Sequence, residues 1–126
     1  MRMLRPHTLM DVDQKRGGKT KIKYVTVLLS RAGMSREEFR NYWRNTHAPI
    51  LKEISGLRGY VKNHALEDLA GNEPPYDGFG ELYFDSVEAM QAGLASSKGE
   101  ATLANIPTFC DTEKLVRVFV DEVKFV

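Results

Sequence analysis

At 126 residues, with 42% hydrophobic and 28% charged side chains, the chain fits one globular domain, without room for a second core or the composition of a disordered tract. Its 18 basic and 17 acidic residues, net +1, give no single-sign field of the kind nucleic acid or an anionic membrane selects, and no apolar run nears the roughly 20 residues that span a bilayer. The lone cysteine, Cys110, forms no internal disulfide; with no signal-type apolar stretch after Met1-Arg2-Met3-Leu4-Arg5-Pro6, a cytoplasmic location is expected.

Residues 1–21 hold six basic side chains (Arg2, Arg5, Lys15, Arg16, Lys19, Lys21) and two acids (Asp11, Asp13), a charge of +4 that leaves −3 on the rest. Without hydrophobic periodicity, and with Gly17-Gly18, this segment reads as a basic N-terminal arm outside a domain covering 22–126. The opposite charge of the body gives the arm a reason to lie across the protein's own dimer or a neighbouring molecule, without contributing catalytic groups.

Lys21 to Ser30 is rich in β-branched and aromatic residues and predicts a first strand. Ser35-Arg36-Glu37-Glu38 is a capping box that opens a helix. Phe39, Tyr42, Trp43, Thr46 and Ile50 then follow helical spacing, and Pro49 predicts an end or kink near His47. A second strand is expected over Leu57–Leu66 and a third over Tyr76–Phe84. Ser86 caps a second helix, with Val87, Met90 and Leu94 on one face, stopping near Gly99. A short helical turn between Glu100 and Ile106 precedes Pro107, and Leu115–Val126 supplies the last strand. The order βαββαβ is an α+β, ferredoxin-like arrangement. Apolar residues on both parities of the first and last strands predict a sheet covered on both faces, hence a homodimer.

Ser35-Arg-Glu-Glu-Phe39-Arg-Asn-Tyr-Trp43-Arg-Asn-Thr-His47-Ala-Pro49 resembles the helix of EthD-like proteins, members of the dimeric α+β barrel superfamily. Gly56-Leu-Arg-Gly-Tyr60-Val-Lys-Asn-His64 and Tyr76-Asp77-Gly78-Phe-Gly-Glu81-Leu-Tyr-Phe84-Asp85 resemble that family's second and third strands. The resemblance implies a homodimer whose sheets form a barrel, a cavity in each half and no obligate cofactor. It also implies a range of chemistries: muconolactone-type isomerases, polyketide cyclases and dehydratases, cofactor-free anthrone oxygenases, and the ether-degradation accessory protein EthD itself. The methylmuconolactone-isomerase branch uses a histidine matching His47, a tyrosine matching Tyr60 and a cysteine between the third strand and second helix. This chain has no cysteine there.

His47 lies about 80° round the helix from Phe39, at the edge of the aromatic stripe. A helix C-terminus there favours its protonated form and burial against Trp43 the neutral one. Tyr60 and His64 share a parity on the second strand. The opposite parity (Leu57, Gly59, Val61, Ala65) is smaller and more apolar, which suits it to lie under the helices and turns Tyr60 and His64 to the barrel interior. Asp77 and Glu81 share a parity on the third strand, while Gly78 and Gly80 face the other way and admit a helix closely. Three histidines on separate segments give no metal site, and Cys110 is expected to be an inert buried thiol.

The expected function is a cofactor-independent enzyme that moves a proton on a small cyclic metabolite, as an isomerase, cyclase or dehydratase. His47, Tyr60 and His64 are its candidate catalytic groups, and Trp43 and Asp77 its candidate substrate contacts. The alternatives are an EthD-type oxidoreductase, a cofactor-free oxygenase that starts with the same deprotonation, or a non-catalytic small-ligand binding protein.

Overall fold

The computed structural model describes residues 22–126; the basic arm and its expected docking lie outside the described residues. Strand β1 (Ile22–Leu28) leads to helix α1 (Arg36–Tyr42), a π-helical turn (Trp43–His47) and a last helical turn α2 (Ala48–Leu51). Strands β2 (Leu57–His64) and β3 (Gly78–Phe84) follow, then helices α3 (Val87–Ala95) and α4 (Ser97–Asn105), a 3-10 turn (Ile106–Thr108) and strand β4 (Val116–Val120). The strands form one antiparallel sheet in the order β2-β3-β1-β4. This is the ferredoxin-like α+β fold expected from the sequence.

Strand alternation sorts side chains between two faces. Ile22, Tyr24, Leu28, Leu82 and Phe84 are buried beneath the helices. Each apolar side chain so enclosed contributes about 1.5–3 kcal/mol. The core has two clusters: one joins Ile22, Tyr24, Leu51, Ile54, Leu82, Phe84, Val87 and Met90, the other Leu28, Phe39, Trp43, Ile106, Phe109 and Cys110. On the opposite face Val61, Phe79 and Val118 remain 40–43% exposed, beside Val25 and Val27 of β1.

Elements α3, α4 and β4 differ from expectation. The helix foreseen to stop near Gly99 ends at Ala95, and the short turn after Glu100 is instead a full helix, α4. Ser96 makes the break: in an extended conformation its hydroxyl donates to the Gly93 carbonyl at 2.5 Å and accepts from the Gly99 N–H at 3.2 Å, capping both helices. Strand β4 ends at Val120 rather than Val126; its register pairs Val120 with Lys23, the second residue of β1.

Candidate active site

The capping box forms as the sequence requires: the Ser35 hydroxyl accepts from the Glu38 N–H, and the Glu38 carboxylate accepts from the Ser35 N–H, each at 3.1 Å. From there the helix departs from expectation at Pro49. It neither ends nor breaks near His47 but widens, and the Ala48 N–H reaches the Trp43 carbonyl, five residues back. Pro49 then stands in the first turn of α2, where its missing N–H costs little. The wide turn takes up one extra residue, so the buried register slips by one. Thr46 is exposed and Ile50 half-buried, while His47 and Leu51 join Phe39 and Trp43 in the interior. π-turns recur at functional sites for this reason.

A second slip lies in β2. Leu57 pairs with Phe84 but Gly59 with Tyr83, so Arg58 is an extra residue, a β-bulge. One inserted residue exchanges the faces of everything beyond it. Leu57 and Tyr60 therefore both turn toward the helices. The expected assignment is corrected: Tyr60, Lys62 and His64 lie on the helix-covered face, and Val61 lies on the open one.

These two irregularities bring Trp43, His47 and Tyr60 to one place. They line a cavity of about 30 Å³ at the seam between the two core clusters, with Tyr24, Leu51, Leu82 and Leu103 among its apolar walls. The Trp43 Nε1–H donates to the Tyr60 hydroxyl oxygen at 2.5 Å. Gly78 and Gly80 give the indole room, as the sequence suggested: a Cβ on Gly78 would press on the Asn63 carbonyl and sit 3.0 Å from Trp43 Cζ3. The volume accommodates a water or two, so a cyclic ligand enters only if the walls yield.

The His47 ring is only 3% exposed and packs on Phe109, with ring centres 4.8 Å apart. Its Nδ1 is 2.9 Å from Asn105 Oδ1, and the Asn105 amide nitrogen donates to the Tyr42 hydroxyl at 2.9 Å. With the Asn105 oxygen facing the ring, an acceptor only, Nδ1 carries the proton and Nε2 keeps a lone pair. Burial lowers the His47 pKa, partly opposed by Asn105. With the helix running on to Leu51, no helix terminus at His47 favours the charged form, and burial prevails. The same burial pushes the Tyr60 phenol up to about 12, against the smaller opposing effect of the Trp43 hydrogen bond. The site thus pairs a neutral imidazole with a phenol that keeps its proton.

The EthD domain description matches residues 31–113. The chain belongs to the EthD family. Its fold is similar to that of an EthD family protein from Bacillus halodurans, with 21% identity, a TM-score of 0.72 and coverage of 82% of this chain and all of that one. It is similar, too, to a dimeric ferredoxin-like protein from Thermobifida fusca (18% identity, TM-score 0.63, 81% and 91% covered). A third likeness is to SnoaB, a cofactor-independent oxygenase from Streptomyces nogalater (8% identity, TM-score 0.61, 84% and 96% covered). No curated protein sequence matches the chain.

Two of the site residues expected from strand parity stand apart from the cavity. His64 is exposed at the end of β2, with its ring 5.9 Å from that of Trp43. Asp77 is buried just before β3, where its carboxylate accepts from the Ser30 N–H at 2.7 Å and lies 3.5 Å from Arg36 Nε. It ties the β1–α1 connection to the sheet. Cys110 is buried and its thiol is pushed up to about 12, chiefly by burial, so it stays protonated. Among the described residues no His, Cys, Asp and Glu grouping forms a metal site, and no helix is long and apolar enough to cross a membrane. Asn105 was invisible to sequence reasoning, since it meets His47 from 58 positions away.

Proposed function

We propose that this EthD protein is a cofactor-independent enzyme that moves a proton on a small, cyclic, partly apolar metabolite. The observation that carries the reading is the convergence of a neutral His47 and a protonated Tyr60 on one apolar cavity. His47 Nε2 takes a proton from carbon next to a carbonyl, while Asn105 holds Nδ1–H and favours the imidazolium that results. Tyr60, its oxygen already accepting from Trp43, directs its own O–H at the oxygen on which charge develops. Returning the proton elsewhere on the substrate gives isomerisation, and expelling a hydroxide gives dehydration. The same first step begins cofactor-free oxygenation when the carbanion meets O₂.

The protein acts as a homodimer joined through the open sheet face. Support comes from the exposed Val61, Phe79 and Val118 on that face and from the dimeric relative of the same fold.

Solvent-deuterium exchange tests the chemistry without knowledge of the product. A panel of cyclic ketones and lactones in ²H₂O is expected to include compounds whose α-hydrogens exchange with the wild-type protein and not with His47→Ala. Equal exchange by both proteins refutes the catalytic reading and leaves ligand carriage.

A further inference from the structure

The helix-side row of the edge strand β2 runs Tyr60, Lys62, His64, from the cavity to the end of the strand. Lys62 Nζ lies 5.2 Å from the centre of the Trp43 ring, and the His64 ring is 5.9 Å from the same indole. Burial first, and then the charges of Arg40 and Arg44 from α1 and the π-turn, lower the pKa of Lys62 and of His64, with Lys62 itself adding to the effect on His64. Among the described residues no carboxylate forms an ion pair with Arg40, Arg44 or Lys62, whereas Lys23, Arg36, Arg58 and Lys98 each have one. Arg40 gives one guanidinium N–H to the Ala65 carbonyl at 2.8 Å and keeps a buried Nε with no partner.

Lys62 and His64 sit at the Trp43 indole, Arg40 is bonded to the Ala65 carbonyl next to His64, and Arg44 follows Arg40 by four residues. These three cations, without a carboxylate partner among the described residues, repel one another and the histidine, and an oxyanion relieves that repulsion. We propose that Arg40, Arg44, Lys62 and His64 hold the anionic group, carboxylate or phosphate, of the substrate whose apolar body enters the cavity beside Tyr60. This inference rests on the catalytic reading of that cavity. Tyr60 and Lys62 are two apart on β2, about 7 Å along the strand. Both meet the Trp43 indole, the Tyr60 hydroxyl at Nε1 and Lys62 Nζ 5.2 Å from the ring centre. An anion at Lys62 therefore lies beside the cavity that the indole walls. The substrate class is then a ring that carries a carboxylate or phosphate substituent.

The His64 ring reports on the site. Its NMR titration is followed in the full chain with benzoate, inorganic phosphate or chloride added at constant ionic strength. A bound oxyanion raises the His64 pKa, saturably and by roughly half a pH unit or more, with chloride ineffective and His47 unchanged. The stronger of benzoate and phosphate identifies the group. In Arg44→Ala/Lys62→Ala, one position exposed and the other half-buried, the saturable rise disappears. An equal rise with chloride, or one that persists in the double variant, overturns the site. That result leaves the His47→Ala exchange experiment unaffected, so failure here and failure of the proton-transfer reading are told apart.

Discussion

Trp43 and Tyr60, one from a π-turn and the other from beyond a β-bulge, are joined by an N–H···O bond of 2.5 Å that closes one wall of the cavity. Tyr60→Phe removes the acceptor and leaves the Trp43 N–H buried and unpaired, costing about 1–3 kcal/mol of stability. If the phenol meets developing charge, the same change lowers kcat by on the order of 10²–10³ with little effect on KM. Trp43→Phe breaks the same bond but keeps the phenol, and is expected to retain more turnover. Denaturation and steady-state kinetics on both variants separate the contributions.

His47→Ala is expected to lower turnover by on the order of 10²–10⁴ in a folded protein. A purely packing role predicts instead a lower melting temperature with activity reduced only by the loss of folded protein. Circular dichroism beside the rate distinguishes them.

The depressed pKa of His47 has a definite sign in stability. The unfolded chain binds the proton near the ordinary 6.5 and the folded chain only at lower pH. The unfolded state therefore holds more protons between the two values, and stability falls as pH drops below about 6.5 toward the folded pKa. His47→Gln removes that slope. His64, also depressed, contributes with the same sign, so His64→Gln is measured alongside; the larger loss of slope is expected for His47, the more buried ring.

Asn105 is a positioning residue. Asn105→Asp places a negative charge against Nδ1 and raises the His47 pKa, moving the acid limb of the rate profile to higher pH. Asn105→Leu removes the acceptor, frees the tautomer and lowers kcat while leaving the limb near or below its original position. A structural role alone predicts no movement of the limb in either variant.

Much of this was legible in the chain. The Ser35–Glu38 box, the Ser86 cap and the β-branched stretch at Ile22 name their elements because local hydrogen bonding and strand propensity decide them. Trp43, His47 and Tyr60 were reached from residue type and resemblance. What was hidden were insertions of a single residue. Arg58 carries no local signal for a bulge, yet it reverses the faces of Tyr60 and Val61. Pro49 signals an interruption, but whether the helix ends or widens depends on the packing of His47 against Phe109 and of Leu51 against the sheet residues Tyr24 and Leu82 of its core cluster, partners that lie outside the local sequence. Asn105 and Tyr42, which fix the tautomer of His47, meet only in the folded chain.

The open sheet face yields a prediction independent of the chemistry. Interfaces of obligate dimers commonly bury upward of about 2,000 Å², and Val118, at 43% exposure, lies on that face. Val118→Lys is expected to convert a dimer into a folded monomer in sedimentation velocity. A wild-type monomer at dilute concentration contradicts the dimer.

The central claim is that His47 is a neutral base with its free nitrogen, Nε2, available to the cavity. Nitrogen-15 NMR of the imidazole rings measures this with no substrate. The account predicts a His47 ring protonated on Nδ1 and bare on Nε2 at pH 7, with a pKa below 6.5. A ring protonated on Nε2, or one still doubly protonated at pH 7, would contradict it.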